Sequence, residues 1–436
     1  MKTTSLAILL ASSALLTLTA CTDNGAEPDP VVVDQSVGQR VASSKARDTA
    51  PVVSGANLAT LTEGNRAFAT EMYHGLTRPG ENLFFSPHSI SLALAMTYAG
   101  ARGDTKTEMA AALNFSLPDA DTHAAFNALD LALKSRRNLP AETSGDGFAL
   151  SIVNQTWGQI GTPFEDEFLD VLAVNYGAAM YLLDFASDPD GSRSAINDWV
   201  SAQTNDRIVD LLPGGSVTAN TRLVLANAIY FKASWSAPFK ASRTTQDAFT
   251  LQDGSAITAP TMHGNLETAY ASGDGWALAE IPYVGEDLDM TVLVPDAGRF
   301  AEIEGALDQP FLDAAWAAAT THGVAFSLPR FTFKTEASLV EPLKVLGMNA
   351  AFNSAEADFT GMSTALDLYI TGVYHQAFVA VDETGTEAAA ATAVIAGTTS
   401  APEPATLTVD RPFIVLIRDR PTGAILFLGR VLNPTG

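Results

Sequence analysis

Apolar residues at helical spacing run from Asn57 to Leu76 and stop at Arg78-Pro79-Gly80, so the pattern predicts an amphipathic helix there. Ser86-Pro87 then offers a cap and a first turn, and the residues up to Tyr98 are apolar on nearly every side, which predicts a buried helix. Further amphipathic helices are predicted over Asp104–Leu113, Asp121–Arg137 and Ser192–Thr204, the last with Trp199 and Val200 on its apolar side. Residues 148–158 and 221–235 read as strands with few polar interruptions, hence covered on both faces. From 248 to 295 short strands alternate with turns at Asp253-Gly254 and Gly285–Asp287. A helix around Phe311–Thr320 precedes one strand over 323–338. In residues 368–383, Val373, His375, Ala377, Val379 and Val381 fall on one face of a strand. Two apolar strands joined by Arg420–Gly423 close the chain. Helices dominate the first half and strands the second, which is an α+β pattern.

The first residues follow a different rule. Lys2, an apolar run from Leu6 to Leu18 and small residues before Cys21 fit a secretory signal, and the run is too short for a spanning helix. Leu18-Thr19-Ala20-Cys21 resembles the bacterial lipobox, after which the signal is removed and the cysteine is lipidated; the plainer reading is a cleaved signal with a leftover cysteine. Cys21 is the only cysteine, so no intrachain disulfide forms. Residues 1–20 are therefore expected to be a lipoprotein-type signal and 21–55, polar and without hydrophobic period, a lipidated Cys21 on a flexible tether. Residues 56–436 are expected to form one domain. Export across the inner membrane and lipid anchoring follow, with a periplasmic or cell-surface location. Thr22, where an aspartate is associated with inner-membrane retention, leans toward the outer membrane.

Composition narrows the function. With 47% hydrophobic and 17% charged residues the chain can bury a large core. Its net charge of −24 repels phosphate backbones, and Lys134, Arg136 and Arg137 are the densest basic group, read as a solvated helix end. Nucleic acid is not an expected partner. The sequence has no G-x-S-x-G, H-E-x-x-H, C-x-x-C or phosphate-loop motif, and its six histidines are scattered without metal-ligand spacing, so neither catalysis, a cofactor nor a metal is expected.

Residues 385–394, GTEAAAATAV, are the hardest to place. Alanine runs favour helices, yet this one sits between Gly-Thr and Gly-Thr-Thr-Ser and reads equally as a linker. Its surroundings decide. The segments NLFFSPHSISLALAMTYAGARGDTKTEM, TRLVLANAIYFKASWSAPF, LPRFTFKTEASLVEPLKVLGMNAAFNSAEADFTGMS and VDRPFIVLIRDRPTGAILFLGRVLNP, together with GTEAAAATAV, resemble the serpins in order and over nearly the whole chain from Asn57 to Pro434.

The resemblance implies three β-sheets with about nine helices and an exposed reactive loop, here about residues 383–408. It also implies the mechanism of a single-use protease inhibitor: the cleaved loop inserts into the large central sheet, sheet A, and carries the acylated protease with it. A non-inhibitory member acting as a surface binding module is the alternative. Physics allows the insertion. Thr386, Ala388, Ala390 and Thr392 share one face of an extended chain and are small and uncharged, while Glu387 falls on the other face with Ala389 and Ala391. No proline interrupts 385–401. At about 0.5–1.5 kcal/mol per new ladder bond, an inserted strand gains on the order of 10 kcal/mol.

Gly385 supplies a conformationally permissive hinge. Residue by residue, the resemblance matches Glu383 to the hinge glutamate, and Arg330 and Trp235 to the residues at the entry to sheet A. It matches Ser86, Ser89, Asn227 and His375 to a polar cluster under the middle of that sheet. Gln376, Ala380 and Thr384 depart from the usual Lys, Glu and Glu. Counting from Glu383 puts the reactive bond at Thr399–Ser400, or one or two residues later by the spacing back from VDRPF. Residues 388–406 contain no Lys, Arg, Met or aromatic residue, so the expected targets have small primary pockets: elastase- or subtilisin-like enzymes, with papain-like cysteine proteases as a further class. A monomer is expected.

Overall fold

A computed structural model describes residues 38–136, 149–386 and 403–436. Within them an α+β domain is built from nine α-helices and two hydrogen-bonded sheets. The helices are α1 Gly55–Leu76, α2 Pro87–Tyr98, α3 Gly103–Ala112, α4 Asp119–Ser135, α5 Asp166–Val171 and α6 Pro189–Gln203, then α7 Phe300–Gly305, α8 Gln309–Ala318 and α9 Val340–Val345. None of them is long and apolar enough to cross a membrane.

Sheet A holds β1 (Gln39–Val41), β3 (Ala149–Gln159), β4 (Met180–Leu183), β5 (Leu223–Ser234), β11 (Phe331–Ser338), β12 (Ile370–Val381) and β13 (Gly385–Thr386). Their order across the sheet is β1-β4-β3-β5-β13-β12-β11. The second sheet holds β2 (Leu83–Phe85), β6 (Thr245–Thr250), β7 (Ala256–Gly273), β8 (Trp276–Pro282) and β9 (Leu288–Pro295). It is completed by β10 (Thr320–Pro329), β14 (Glu403–Thr408), β15 (Phe413–Asp419) and β16 (Ala424–Val431). Hydrogen bonding joins the two smaller expected sheets into one because β7, 18 residues long, runs through both.

Helix α2 shows why the sequence folds this way. Ser86 accepts a hydrogen bond from the Ser89 amide, Pro87 occupies the first turn, and every residue from Pro87 to Tyr98 is buried. A helix without a polar face needs cover on all sides, and α2 finds it between β3 and β5 of sheet A and β16 of the second sheet. The other face of sheet A is covered by α6 and the segment after it: Ile196, Val200, Ile208 and Leu212 pack on Trp157, Val224 and Ala226. Strand β5 is thus buried on both faces, as its apolar run predicts.

Three expectations are corrected. Residues 323–338 are two strands rather than one, because β10 pairs with β7 and β14 whereas β11 crosses into sheet A beside β12. The change of sheet falls at Pro329-Arg330, where the Arg330 amide donates instead to the Pro260 carbonyl. Residues 39–48, expected to be tether, are instead bonded into the domain. Gln39–Val41 pair antiparallel with β4 and become the outer edge of sheet A. Arg47 then donates to Asn127 and Asp130 on α4, and the Asn127 amide donates back to the Asp48 carbonyl. The Arg47 side chain crosses directly over Gly177, where a Cβ would come within 3.0 Å of it. Polar bonds fix this segment, which is why it carries no hydrophobic period. Arg136, read as part of a solvated helix end, instead pairs with the fully buried Asp419 at 2.8 Å.

Candidate functional site

The head of sheet A is where β5 and β12 part. In the lower half the two strands pair directly and in parallel, from Ile370–Leu223 to Ala377–Ile229. Above that, β13 lies between them: Gly385 and Thr386 stand opposite Ser234 and Ala233 of β5, and Thr386 opposite Val381 of β12, antiparallel to both. The turn that reverses the chain is closed by Asp382, whose side chain accepts from the amide and hydroxyl of Thr384 and whose amide donates to the Gly385 carbonyl at 3.0 Å. Glycine is required at 385 by close approach, since a Cβ there would lie 2.0 Å from the Ala233 carbonyl oxygen.

Aromatic rings floor this entry. Trp235 stacks on Tyr283 with ring centroids 4.6 Å apart and donates its indole N–H to the Asp382 carbonyl at 2.9 Å. The Tyr283 hydroxyl shares a 2.7 Å hydrogen bond with that of Thr386, and both residues are buried. Burial raises the Tyr283 phenol well above its usual value, so it stays neutral. Glu383 is held from two sides, by Arg330 and by the Thr244 hydroxyl. Partial burial pushes its carboxyl up, but these hydrogen bonds outweigh that and hold it below the usual carboxylate range. The backbone is tied as well: Trp235 N–H donates to Thr384 and Phe239 N–H to Glu383, each at 2.9 Å.

A second group lies beneath the lower half. The His375 Nε2 accepts from the Ser86 amide at 3.2 Å, which leaves Nδ1–H to donate to the Asn227 carboxamide oxygen. Asn227 donates to the Ser89 hydroxyl at 2.6 Å and to Asn154, and Asn154 returns a bond to the Ser89 carbonyl at 3.1 Å. Burial lowers the His375 pKa to about 3, so the ring is neutral and joins β12 to β5 and α2.

The structure thus brings Glu383, Arg330, Trp235, Gly385 and Thr386 together at one end of sheet A, and Ser86, Ser89, Asn227 and His375 together under its middle. Cys21, Glu387, Ala388, Ala389, Ala390, Ala391, Thr392, Thr399 and Ser400 lie outside the described residues. Sequence reasoning missed Asn154, Tyr283 and Thr244. Asn154 did leave a signal, as one of two adjacent amides, with Gln155, within the otherwise apolar strand SIVNQTW. Among the described residues no cluster of His, Cys, Asp or Glu is arranged to hold a metal ion.

Comparison with known proteins agrees with this architecture. Residues 63–434 match the model of the family described as serpin (serine protease inhibitor). A serpin-like protein of Thermococcus kodakarensis is 39% identical over 372 residues, covering 84% of each chain. The human leukocyte elastase inhibitor is 34% identical over 385 residues, covering 86% of this chain and 99% of its own. The solved structure of human thyroxine-binding globulin with its thyroxine superposes with a TM-score of 0.76 at 28% identity, covering 87% of this chain and 100% of that one. The chain belongs to the serpin family, whose members are commonly protease inhibitors rather than enzymes.

Proposed function

We propose that the protein is a single-use inhibitor of serine endopeptidases, consumed when its loop is cleaved. The observation that carries this reading is the placement of Gly385 and Thr386 as a strand between β5 and β12. A strand lengthened from Thr386 would have β5 on one side and β12 on the other, so its amides and carbonyls find partners once the two separate. Ala388, Ala390 and Thr392 share the face of the buried Thr386 and are small enough to follow it.

Cleavage supplies the freedom to insert. The protease serine hydroxyl adds to the carbonyl carbon of Thr399, the C–N bond to Ser400 breaks, and the amine leaves with a proton while Thr399 stays as an ester on the enzyme. Insertion that outruns water at this ester drags the protease along sheet A and distorts its site. The small residues from 388 to 406 favour small primary pockets, elastase- or subtilisin-like, with papain-like cysteine proteases as a second class. The likeness to a leukocyte elastase inhibitor points the same way. Metalloproteases form no acyl-enzyme and escape. Lipidation of Cys21 would hold the inhibitor on a membrane, with about 0.8 kcal/mol for each buried acyl CH₂. Cys21→Ser should move the protein from the membrane to the soluble fraction.

The test is incubation with elastase- and subtilisin-like enzymes. A complex that survives SDS is expected, and mass spectrometry of the released C-terminal fragment should place its first residue at Ser400 or within two residues after it. Cleavage with neither complex nor a gain in thermal stability would sink the reading. That result would favour a non-inhibitory surface binding module, the role suggested by the likeness to thyroxine-binding globulin.

A further inference from the structure

The N-terminal chain joins sheet A at the end opposite the hinge. Gln39 stands opposite Leu182, Leu182 beside Gly158, and Gly158 opposite Leu223, so these residues form one row across β1, β4, β3 and β5. Leu223 is the first residue of β5, and Ala233, opposite Thr386, lies ten residues or about 33 Å along the strand. The entry at this row is pinned. Gln39–Val41 pair with β4, Arg47 bonds Asn127 and Asp130, and the Asp48 amide donates to the Val174 carbonyl at 2.9 Å.

The register of β13 sets where an inserted loop would end. Gly385 and Thr386 run antiparallel to β5, so each later loop residue falls one place back along it, and Ala396 comes opposite Leu223. The same count along β12 from Val381 brings Gly397 opposite Ile370, the partner of Leu223. Thr399 then carries its ester just past this row. Gln39 is in the same row, four strand spacings from Ala396, or about 19 Å. The trapped enzyme and the anchor chain therefore share one end of the sheet.

Seventeen residues, Thr22 to Gly38, separate Cys21 from Gln39, so a lipid on Cys21 lies at most about 60 Å from the row. A protease of roughly 220 residues has a radius of gyration of about 17 Å and a body about 45 Å across. Lying beside the domain on a membrane, such an enzyme needs about half that width, or 22 Å, between the row and the lipid. Upright beneath the domain it needs the whole width. The chain can span either. Resting on the inhibitor and lipid-anchor readings above, we propose that Thr22–Gly38 is a spacer whose length admits the enzyme, so that trapping is completed while the inhibitor stays on its membrane. With a shorter spacer the bilayer blocks the enzyme's path and insertion stops short. Water then adds to the Thr399 carbonyl carbon and the bond to the serine oxygen breaks, releasing active enzyme and a Thr399 carboxylate.

Trapping of an elastase- or subtilisin-like enzyme tests this, with the lipidated chain in phosphatidylethanolamine–phosphatidylglycerol vesicles and again after detergent release. Two variants are compared with the full chain: deletion of residues 23–36, and replacement of those 14 residues by Gly and Ser. The deletion keeps Gln39–Asp48 and leaves a reach of about 14 Å, less than half the enzyme's width. In vesicles it should be cleaved as fast as the full chain yet give roughly tenfold less SDS-stable complex per chain cleaved, as when a linker cannot span its sites. Detergent should restore its complex to the full chain's level, and the Gly-Ser variant should match the full chain in both settings. Equal trapping by the deletion variant in vesicles and in detergent would overturn the spacer. So would a loss that detergent does not reverse, or one that the Gly-Ser variant shares. A full chain that gives no complex even in detergent removes the inhibitor reading instead, and one that does not float with the vesicles removes the anchor.

Discussion

The upper and lower halves of sheet A use the same two strands in opposite ways. Below, β5 and β12 close on each other directly, and a buried His375–Asn227 pair on their inner side ties both to α2. Above, the strands are spanned by residues that belong to the loop, with Thr386 bonded to Tyr283 rather than to either strand's side chains. The lower seam is a closed lock whose polar groups satisfy one another; the upper one is occupied by the first turn of the key. A cleaved loop therefore needs to replace existing pairing only from Ala377 downward, while its entry is already aligned.

Removing the alignment has the largest effect. Thr386→Arg puts a charge into a buried site whose neighbours are Tyr283 and the two strands, at a cost of several kcal/mol when it stays unpaired. Complex formation should fall by roughly a hundredfold or more, the loop being cleaved as an ordinary substrate, as read from the ratio of complex to cleaved chain on SDS gels. Undiminished trapping would refute insertion through this position. Opening the lower lock comes next. Asn227→Ala strands the His375 Nδ1–H and takes a donor from the Ser89 hydroxyl and from Asn154, which still bond each other, so a loss of about 2 kcal/mol is expected. It should appear as a lower unfolding midpoint, and a shift no larger than that of an exposed alanine variant would show that the pair does not hold the strands.

The two halves were not equally legible. Burial of α2 and of both faces of β5 followed from hydrophobic pattern alone. Neither half of the site did, because Ser86 and His375 are 289 positions apart and only the family resemblance placed them together. The resemblance also supplied Arg330 and Glu383. It did not supply Tyr283, whose stacking on Trp235 arises where two sheets meet and leaves no trace in local spacing. Nor could spacing find residues 38–50, held by edge pairing and by Arg47 instead of an apolar face. Hydrophobic order is written in the chain's period; polar order across long separations is not.

Acid should distinguish the halves again. Burial lowers His375 to about 3 from an ordinary value near 6.5, so the unfolded chain takes up a proton that the native one refuses. The stability His375 contributes is therefore complete above about pH 6.5 and is lost on acidification at about 1.4 kcal/mol per pH unit until the ring itself protonates. His88 and His123, lowered to about 4 by burial, act in the same sense. Glu280 and Asp289 oppose them, since burial raises both carboxyls and their protonation favours the fold as pH falls. His375→Asn should flatten the fall in unfolding midpoint between pH 7 and pH 5, whereas changes at Trp235 or Tyr283 should not alter that slope. An identical slope in His375→Asn would deny the lower lock its pH dependence.

The smallest change tests the key itself. Tyr283→Phe keeps the ring on Trp235 and removes only the hydroxyl that meets Thr386. One neutral hydrogen bond is at stake, about 1 kcal/mol, and Thr386 then retains its backbone pairing with Ala233 and Val381. Two outcomes separate two roles for the bond. If it serves only the resting hinge, its loss raises the population of withdrawn loop severalfold, and a protease should associate faster at unchanged stoichiometry. If it persists as the strand lengthens, its loss slows insertion relative to deacylation, and more inhibitor should be cleaved per enzyme trapped. The geometry favours the second. Thr386 already has the register of an inserted residue between β5 and β12, so nothing requires it to leave Tyr283 as Ala388, Ala390 and Thr392 follow.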